Sequence, residues 1–279
     1  MANKKVKMKE SWNAMARLWA SYSVPAKPSP VEIKFYEIRL KDLLLKNKNL
    51  RALVLGSTPE LRDLLAKYHI NTTFVDNNHL SIKAMTQLMK RKNIKERAMV
   101  GNWLKMPFKA NSFDVVLSDA SQDNIKFSEF NKFFNLIYKI LKPGGCWFFG
   151  ALCGRQENQI PFKKYADLYR SNPESFKGFK NMTYRYFQLC FCPQFYNIKT
   201  KKFNFNAVDQ AVKKLVDLGW LPVSALKHAC FNLDYKQTTL TWGMLKKIIK
   251  RKFIILAEKR DHSHIVMKNK WAAILIPKK

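Results

Sequence analysis

An apolar segment, Arg51-Ala52-Leu53-Val54-Leu55, runs into one glycine, Gly56, and then directly into a helix start, Ser57-Thr58-Pro59-Glu60-Leu61. A strand that turns at once into a helix is the unit from which α/β sheets are built. The glycine permits close backbone approach and the helix start presents free N–H groups, a junction suited to a polar, nucleoside-bearing ligand. Ser57 and Glu60 have capping-box spacing, and Pro59 suits a first helical turn whether Ser57 or Thr58 is the cap. An ordinary strand-to-helix turn is the alternative at this point, because one glycine falls short of a full G-x-G-x-x-G.

The next hundred residues extend the pattern. A second strand, Thr72 to Val75, ends in Asp76-Asn77-Asn78, which places a carboxylate where ribose hydroxyls would be bound. Strands are expected near 51–55, 72–75, 97–100, 114–118 and 146–151, alternating with helices near 59–68, 79–91 and 127–141. This is the rhythm of a parallel, doubly wound sheet. Helices over Ser11 to Ser21 and Val31 to Asn47, separated by Pro25, Pro28 and Pro30, precede it as a lid or brace. Phe253 to Glu258 and Trp271 to Ile276 read as two closing strands joined by Arg260 to Lys270.

The ordered set resembles the class I S-adenosylmethionine-dependent methyltransferases. It covers roughly residues 50 to 153, with "SFDVVLSD" (Ser112 to Asp119) similar to the family's fourth strand and "LKPGG" (Leu141 to Gly145) similar to the turn before its fifth. The "LGSTPEL" form of the first motif and the "KPSP" of Lys27 to Pro30 are similar to a methyltransferase type 11-like branch. The resemblance implies a Rossmann-like seven-stranded sheet with an antiparallel last strand, and S-adenosylmethionine as cofactor. It implies cofactor contacts at Gly56, Ser57, Thr58, Asp76, Asn77, Asn102, Trp103, Asp119 and Ala120. Two departures stand out: the later glycines of the first motif are missing, and Asn102 replaces an acidic residue at the adenine.

Four segments are expected: an N-terminal helical lid (1–49), a cofactor-binding core (50–153), a mostly helical insertion (154–251) and the final strand pair (252–279). The insertion exceeds the usual length of such connections. It holds an aromatic and cysteine-rich run, Tyr184 to Tyr196, read as an acceptor pocket or as aromatics packed on the sheet. An amphipathic helix, Ala207 to Leu218, closes at Gly219.

With 279 residues, 47% of them hydrophobic, the chain can bury a substantial core. No apolar run approaches the roughly 18 residues a bilayer span needs, and the lysine-rich start leads into no apolar signal core. A cytoplasmic protein is expected. The five cysteines, odd in number and without C-x-x-C pairs, point to neither a disulfide framework nor structural zinc, and H-x-H at His262 and His264 is weak ground for a metal site. The formal charge of +31 favours a polyanionic partner, and RNA leads as acceptor, against proteome-wide lysine usage as the plain explanation. The Lys246 to Lys252 run reads as a solvated helix face or as a basic helix on an anionic membrane.

Methyl transfer from a sulfonium needs mainly alignment, with a general base only if the acceptor atom must lose a proton. Asp119, after the fourth strand, is the candidate for that role, and positioning the cofactor or capping a helix are its alternatives. Ser118-Asp119-Ala120-Ser121 is not the Asn/Asp-Pro-Pro-Tyr/Phe motif of exocyclic-nitrogen methylation. Cys153 stands near the nucleophile position of pyrimidine C5 methyltransferases without their accompanying Pro-Cys, so it reads as a structural cysteine. A small-molecule or protein acceptor, and a non-catalytic methyltransferase-like module, are the competing functions. The oligomeric state is not legible from sequence.

Overall fold

Leu53, Val54 and Leu55 are buried on both faces of strand β1 (Arg51–Leu55), the mark of a central strand in a sheet covered on both sides. The computed structural model describes residues 19, 27–92, 95–153, 195–197, 199–219, 223, 226, 236–262 and 270–279. Around β1 stand β2 (Asn71–Asp76), β3 (Glu96–Val100), β4 (Phe113–Asp119), β5 (Leu141–Leu152), β9 (Phe253–Lys259) and β10 (Lys270–Pro277). The seven run in the order β3-β2-β1-β4-β5-β10-β9. The first five are mutually parallel, and β10 is antiparallel to both its neighbours. The order reverses at β1, so the crevice outside the strand ends lies where β2 and β4 flank it.

Two apolar layers cover the sheet. Helix α4 (Phe130–Ile140) contributes Phe133, Phe134 and Ile137, and α6 (Trp242–Ile249) contributes Leu245 and Ile249, against Trp147, Phe149 and Leu53. On the other face α1 (Pro30–Lys46) and α2 (Pro59–Lys67) pack Tyr36, Leu40, Leu61 and Leu65 against Val54, Phe74 and Phe148. Successive residues of β5 therefore serve opposite layers, as a period of two requires. Helix α3 (His79–Gln87) follows β2, and Asn78 caps it.

Helix α1 starts in a reciprocal cap: Ser29 Oγ accepts from Glu32 N (3.2 Å) and Glu32 Oε2 accepts from Ser29 N (2.7 Å). Both residues are buried, so Ser29→Ala should cost about 1 kcal/mol of unfolding free energy, read by urea denaturation. Further along, Glu37 of α1 accepts from Lys67 and Tyr68, each at 2.6 Å, which fastens α1 to α2. The buried Arg62 of α2 holds Glu96 of β3 through two hydrogen bonds (2.9 and 2.6 Å) while its guanidinium lies 3.9 Å from the Phe74 ring. That fork and stack fix the edge strand to the helical layer.

Several expectations shift in detail. The "LKPGG" segment lies inside β5 rather than before it: Leu141 already pairs with Phe113, and the register slips before Val115 pairs with Cys146. A Cβ on Gly145 would stand 2.9 Å from Asp114 O, so the irregularity admits glycine. The helix expected over 79–91 ends at Gln87. Within 154–251 the described residues include α5 (Phe205–Asp217), capped by Asn204, and also a small antiparallel sheet in the order β6-β7-β8 (Tyr196–Asn197, Lys202–Asn204, Lys236–Thr238). Most of the first N-terminal helix and of the Tyr184 to Tyr196 run lies outside the described residues. No helix among the described residues is long and apolar enough to cross a membrane.

Candidate functional site

The ends of β1, β2 and β3 meet on one carbonyl. Val75 O accepts from Gly56 N at 2.8 Å and from the Trp103 indole Nε1 at 2.7 Å. Gly56 has φ +96°, and a Cβ there would meet only the Trp103 indole, at 3.8 Å from Cζ2. The turn thus needs glycine for its backbone angle, and the space above it is bounded by one aromatic face. Ser57, buried, donates its hydroxyl to Asp76 Oδ2 at 2.9 Å, while Asp76 Oδ1 accepts from Asn78 N at 3.1 Å. Burial pushes the Asp76 carboxyl above its ordinary value, and the Ser57 and Asn78 hydrogen bonds oppose that.

The expected capping box at Ser57 and Glu60 is absent. Thr58 occupies the cap position of α2 without a side-chain hydrogen bond, Ser57 spends its hydroxyl on Asp76, and Glu60 accepts instead from Trp19 Nε1 (3.3 Å). The missing cap is offset by Pro59 at the first helical position, which has no N–H to satisfy. Asn77 is exposed beside Asp76. Asn102 is exposed after β3, and its Oδ1 caps a short turn by accepting from Leu104 N at 2.8 Å.

Asp119 closes β4 and lies almost wholly inside. Its carboxylate meets the Lys270 ammonium at 2.9 Å (Oδ1) and 3.1 Å (Oδ2), and Lys270 is also 3.6 Å from Glu32 Oε2. Gly150, on the neighbouring strand, makes room: a Cβ there would stand 2.6 Å from Asp119 Oδ1. Ala120 follows at φ +51°, an angle non-glycine residues rarely take, with its N–H on Gly150 O (2.9 Å). Ser121 Oγ then donates to Leu55 O at 3.0 Å, which ties the β4 loop to the end of β1. All nine expected cofactor positions therefore lie within three residues of the ends of β1, β2, β3 or β4, at one edge of the sheet.

Burial lowers the Lys270 ammonium, but the Asp119 and Glu32 carboxylates outweigh it and hold it above its ordinary value. Burial raises Glu32 to about 7, opposed by Lys270 and reinforced by Asp119. Between about 4.5 and 7 the folded protein keeps a proton that the unfolded chain releases, so this group makes folding less favourable as pH rises through that window. Glu32→Gln can keep the cap hydrogen bond to Ser29 and should flatten that part of the stability profile, measured by denaturation at several pH values.

Lys270, the partner of Asp119, is not singled out by the sequence, since it reads there as the end of a loop. A cation opening an otherwise apolar strand is the available signal. His79 starts α3, three residues after Asp76. Cys153 is buried, and its thiol is pushed well above the ordinary value by burial and by Asp123. Among the described residues no group of three His, Cys, Asp or Glu is placed to hold a metal ion. A groove of about 640 Å³ runs between α1 and α2, lined by Ile33, Glu37, Pro59 and Leu64 among others, and none of the nine expected cofactor residues lines it.

A family model described as a methyltransferase domain matches residues 55–149. No curated protein matches the sequence. A SAM-dependent methyltransferase from Methanosarcina mazei is similar in structure (TM-score 0.53, 14% identity, 90% of this chain and 98% of that one). So is a 1,6-didemethyltoxoflavin-N1-methyltransferase from Burkholderia thailandensis with bound S-adenosylhomocysteine (TM-score 0.55, 8% identity, 100% and 90%). A candidate zinc-dependent alcohol dehydrogenase from Rhodobacter sphaeroides shares the fold as well (TM-score 0.58, 13% identity, 98% of each chain). At such identities the likeness is one of fold.

Proposed function

We propose that the chain is a class I S-adenosylmethionine-dependent methyltransferase whose transfer site is the edge formed by the ends of β1 to β4. The observation that carries this is the meeting of Gly56 and Trp103 on Val75 O, next to the half-buried Asp76 carboxylate, all within the matched segment. S-adenosylmethionine supplies a methyl group already activated by its sulfonium. A glycine with open space above it, a carboxylate at the next strand end and an indole face fit a nucleoside. In this reading Asp76 accepts the ribose hydroxyls, Asn77, Asn102 and Trp103 border the adenine, and the backbone of Gly56, Ser57 and Thr58 follows the rest.

Asp119 and Ala120 would face the end where the methyl leaves. Lys270 hydrogen-bonds Asp119 Oδ2 and lies at ion-pair distance from Oδ1, which supports a role in orienting bound groups over proton abstraction. Alignment then carries the chemistry, as transfer to an unprotonated acceptor allows.

For the acceptor, the charge of +31 supports RNA. Methyl-labelled S-adenosylmethionine incubated with protein and cell extract, then split into RNA, protein and small-molecule fractions, tests this. Label in RNase-sensitive material is the expected result; label in protein or small molecules, with none in RNA, refutes an RNA acceptor.

A further inference from the structure

Several lysines in the described helices pair with carboxylates: Lys67 meets Glu37, Lys213 meets Asp217, and Lys246 meets Glu258. One corner differs. There α4 (Asn131 to Lys139), the turn between α6 and β9, and the residues after β10 converge, and the cations bond only to neutral oxygens. Lys278 Nζ donates to Lys250 O (2.6 Å), Lys279 Nζ to Asn111 Oδ1 (2.7 Å), and Arg251 to Asn131 Oδ1 (3.2 Å). Lys139, Lys250 and Lys252 are exposed beside them, and no side-chain carboxylate of a described residue pairs with any of these six cations. Lys252 and Lys279 crowd one ring, their ammoniums 5.2 and 5.1 Å from the centre of Tyr138. Burial lowers Lys279 from its ordinary value. Like charges gathered this way repel, and a bound polyanion relieves the repulsion.

We propose that this corner binds the phosphate backbone of a nucleic-acid duplex. Ammonium groups on flexible stems suit phosphates approached from several directions. The one aromatic ring there is covered by two cations and its hydroxyl is spent on Lys278 O (2.9 Å), so it offers no face for stacking single-stranded bases. The adjoining α6 has its apolar residues Trp242, Leu245 and Ile249 buried in the core, so it lacks the free apolar face by which a basic helix enters a membrane. The corner lies where β9 begins and β10 ends, at the opposite edge of the sheet from Gly56 and Asp119. A duplex held there leaves the transfer edge free, and the inference does not depend on the methyl-transfer reading.

The test is fluorescence anisotropy with a short labelled RNA duplex, and with DNA of the same sequence as a second arm, over a range of salt. The triple variant K250Q/R251Q/K252Q is compared with K90Q/R91Q/K92Q, which removes the same charge elsewhere, and K139Q/K279Q reaches the corner from other segments should the first variant fold poorly. Tighter binding of RNA than of DNA marks contacts to the 2′-hydroxyl, whereas equal binding marks the backbone alone; either fits the proposal. The corner variant should lose more than tenfold in affinity, with the slope of log K against log salt falling by roughly 2 to 3 for three lost phosphate contacts. Equal losses in the two triple variants, or no duplex binding by the wild type, overturn it. So does a defect confined to phosphatidylserine vesicles, where the exposed Ile254 and Leu256 would supply the apolar contacts.

Discussion

Lys270→Met is expected to destabilise the fold by about 3–5 kcal/mol near pH 8, because it leaves carboxylates buried without their cation. Lys270 has no exposed side-chain surface, and its partners Asp119 and Glu32 are 6% and 3% exposed. Neither carboxylate can turn to water without moving β4 or the start of α1. The pH dependence separates this account from a packing defect. With the ammonium gone, Glu32 loses the charge that opposes its rise by burial, so its protonation on acidification relieves the strain. The deficit should shrink between pH 8 and pH 5, whereas a steric fault would be the same at both. Lys270→Arg, which keeps the charge, should lose less than the methionine variant at pH 8. Urea denaturation of the three proteins at the two pH values decides it; a pH-independent deficit refutes the electrostatic role.

The second large effect is on ligand affinity. Asp76→Ala should lower affinity for S-adenosylhomocysteine about 100-fold, the loss of close to 3 kcal/mol that two charge-assisted hydrogen bonds represent. The Asp76 carboxyl is held by Ser57 Oγ and Asn78 N, so it is aimed before any ligand arrives. Asp76→Asn keeps the shape and one acceptor and should fall between the two. Circular dichroism and thermal melting establish that each variant is folded. An unchanged affinity in folded Asp76→Ala removes Asp76 from the ribose site.

Much of the fold is legible in the sequence because the relevant signals are local. Apolar runs closed by Gly56, Asp76 and Asp119 mark strand ends in a parallel sheet, and the sheet has the expected seven strands with an antiparallel last strand. Spacing alone misleads at Ser57 and Glu60, where tertiary partners win: Asp76 claims the hydroxyl and Trp19 the carboxylate. The same spacing at Ser29 and Glu32 does form a complete capping box, in a segment that its prolines dominate on first reading. Lys270 is hidden for another reason. Its partner Asp119 lies 151 residues away, and no periodicity reports an ion pair across that separation. Strands β6 to β8 are two or three residues long, too short for alternation to register.

S-adenosylmethionine is proposed to bind at the edge formed by the ends of β1 to β4. Calorimetric titration of purified protein, first cleared of copurified ligand, with S-adenosylmethionine and S-adenosylhomocysteine tests it most directly, with ATP and NAD as controls. Saturable binding of both sulfur nucleosides at micromolar concentrations, and of neither control, is the expected result. Folded protein that binds neither sulfur nucleoside, or that binds ATP or NAD equally well, contradicts it.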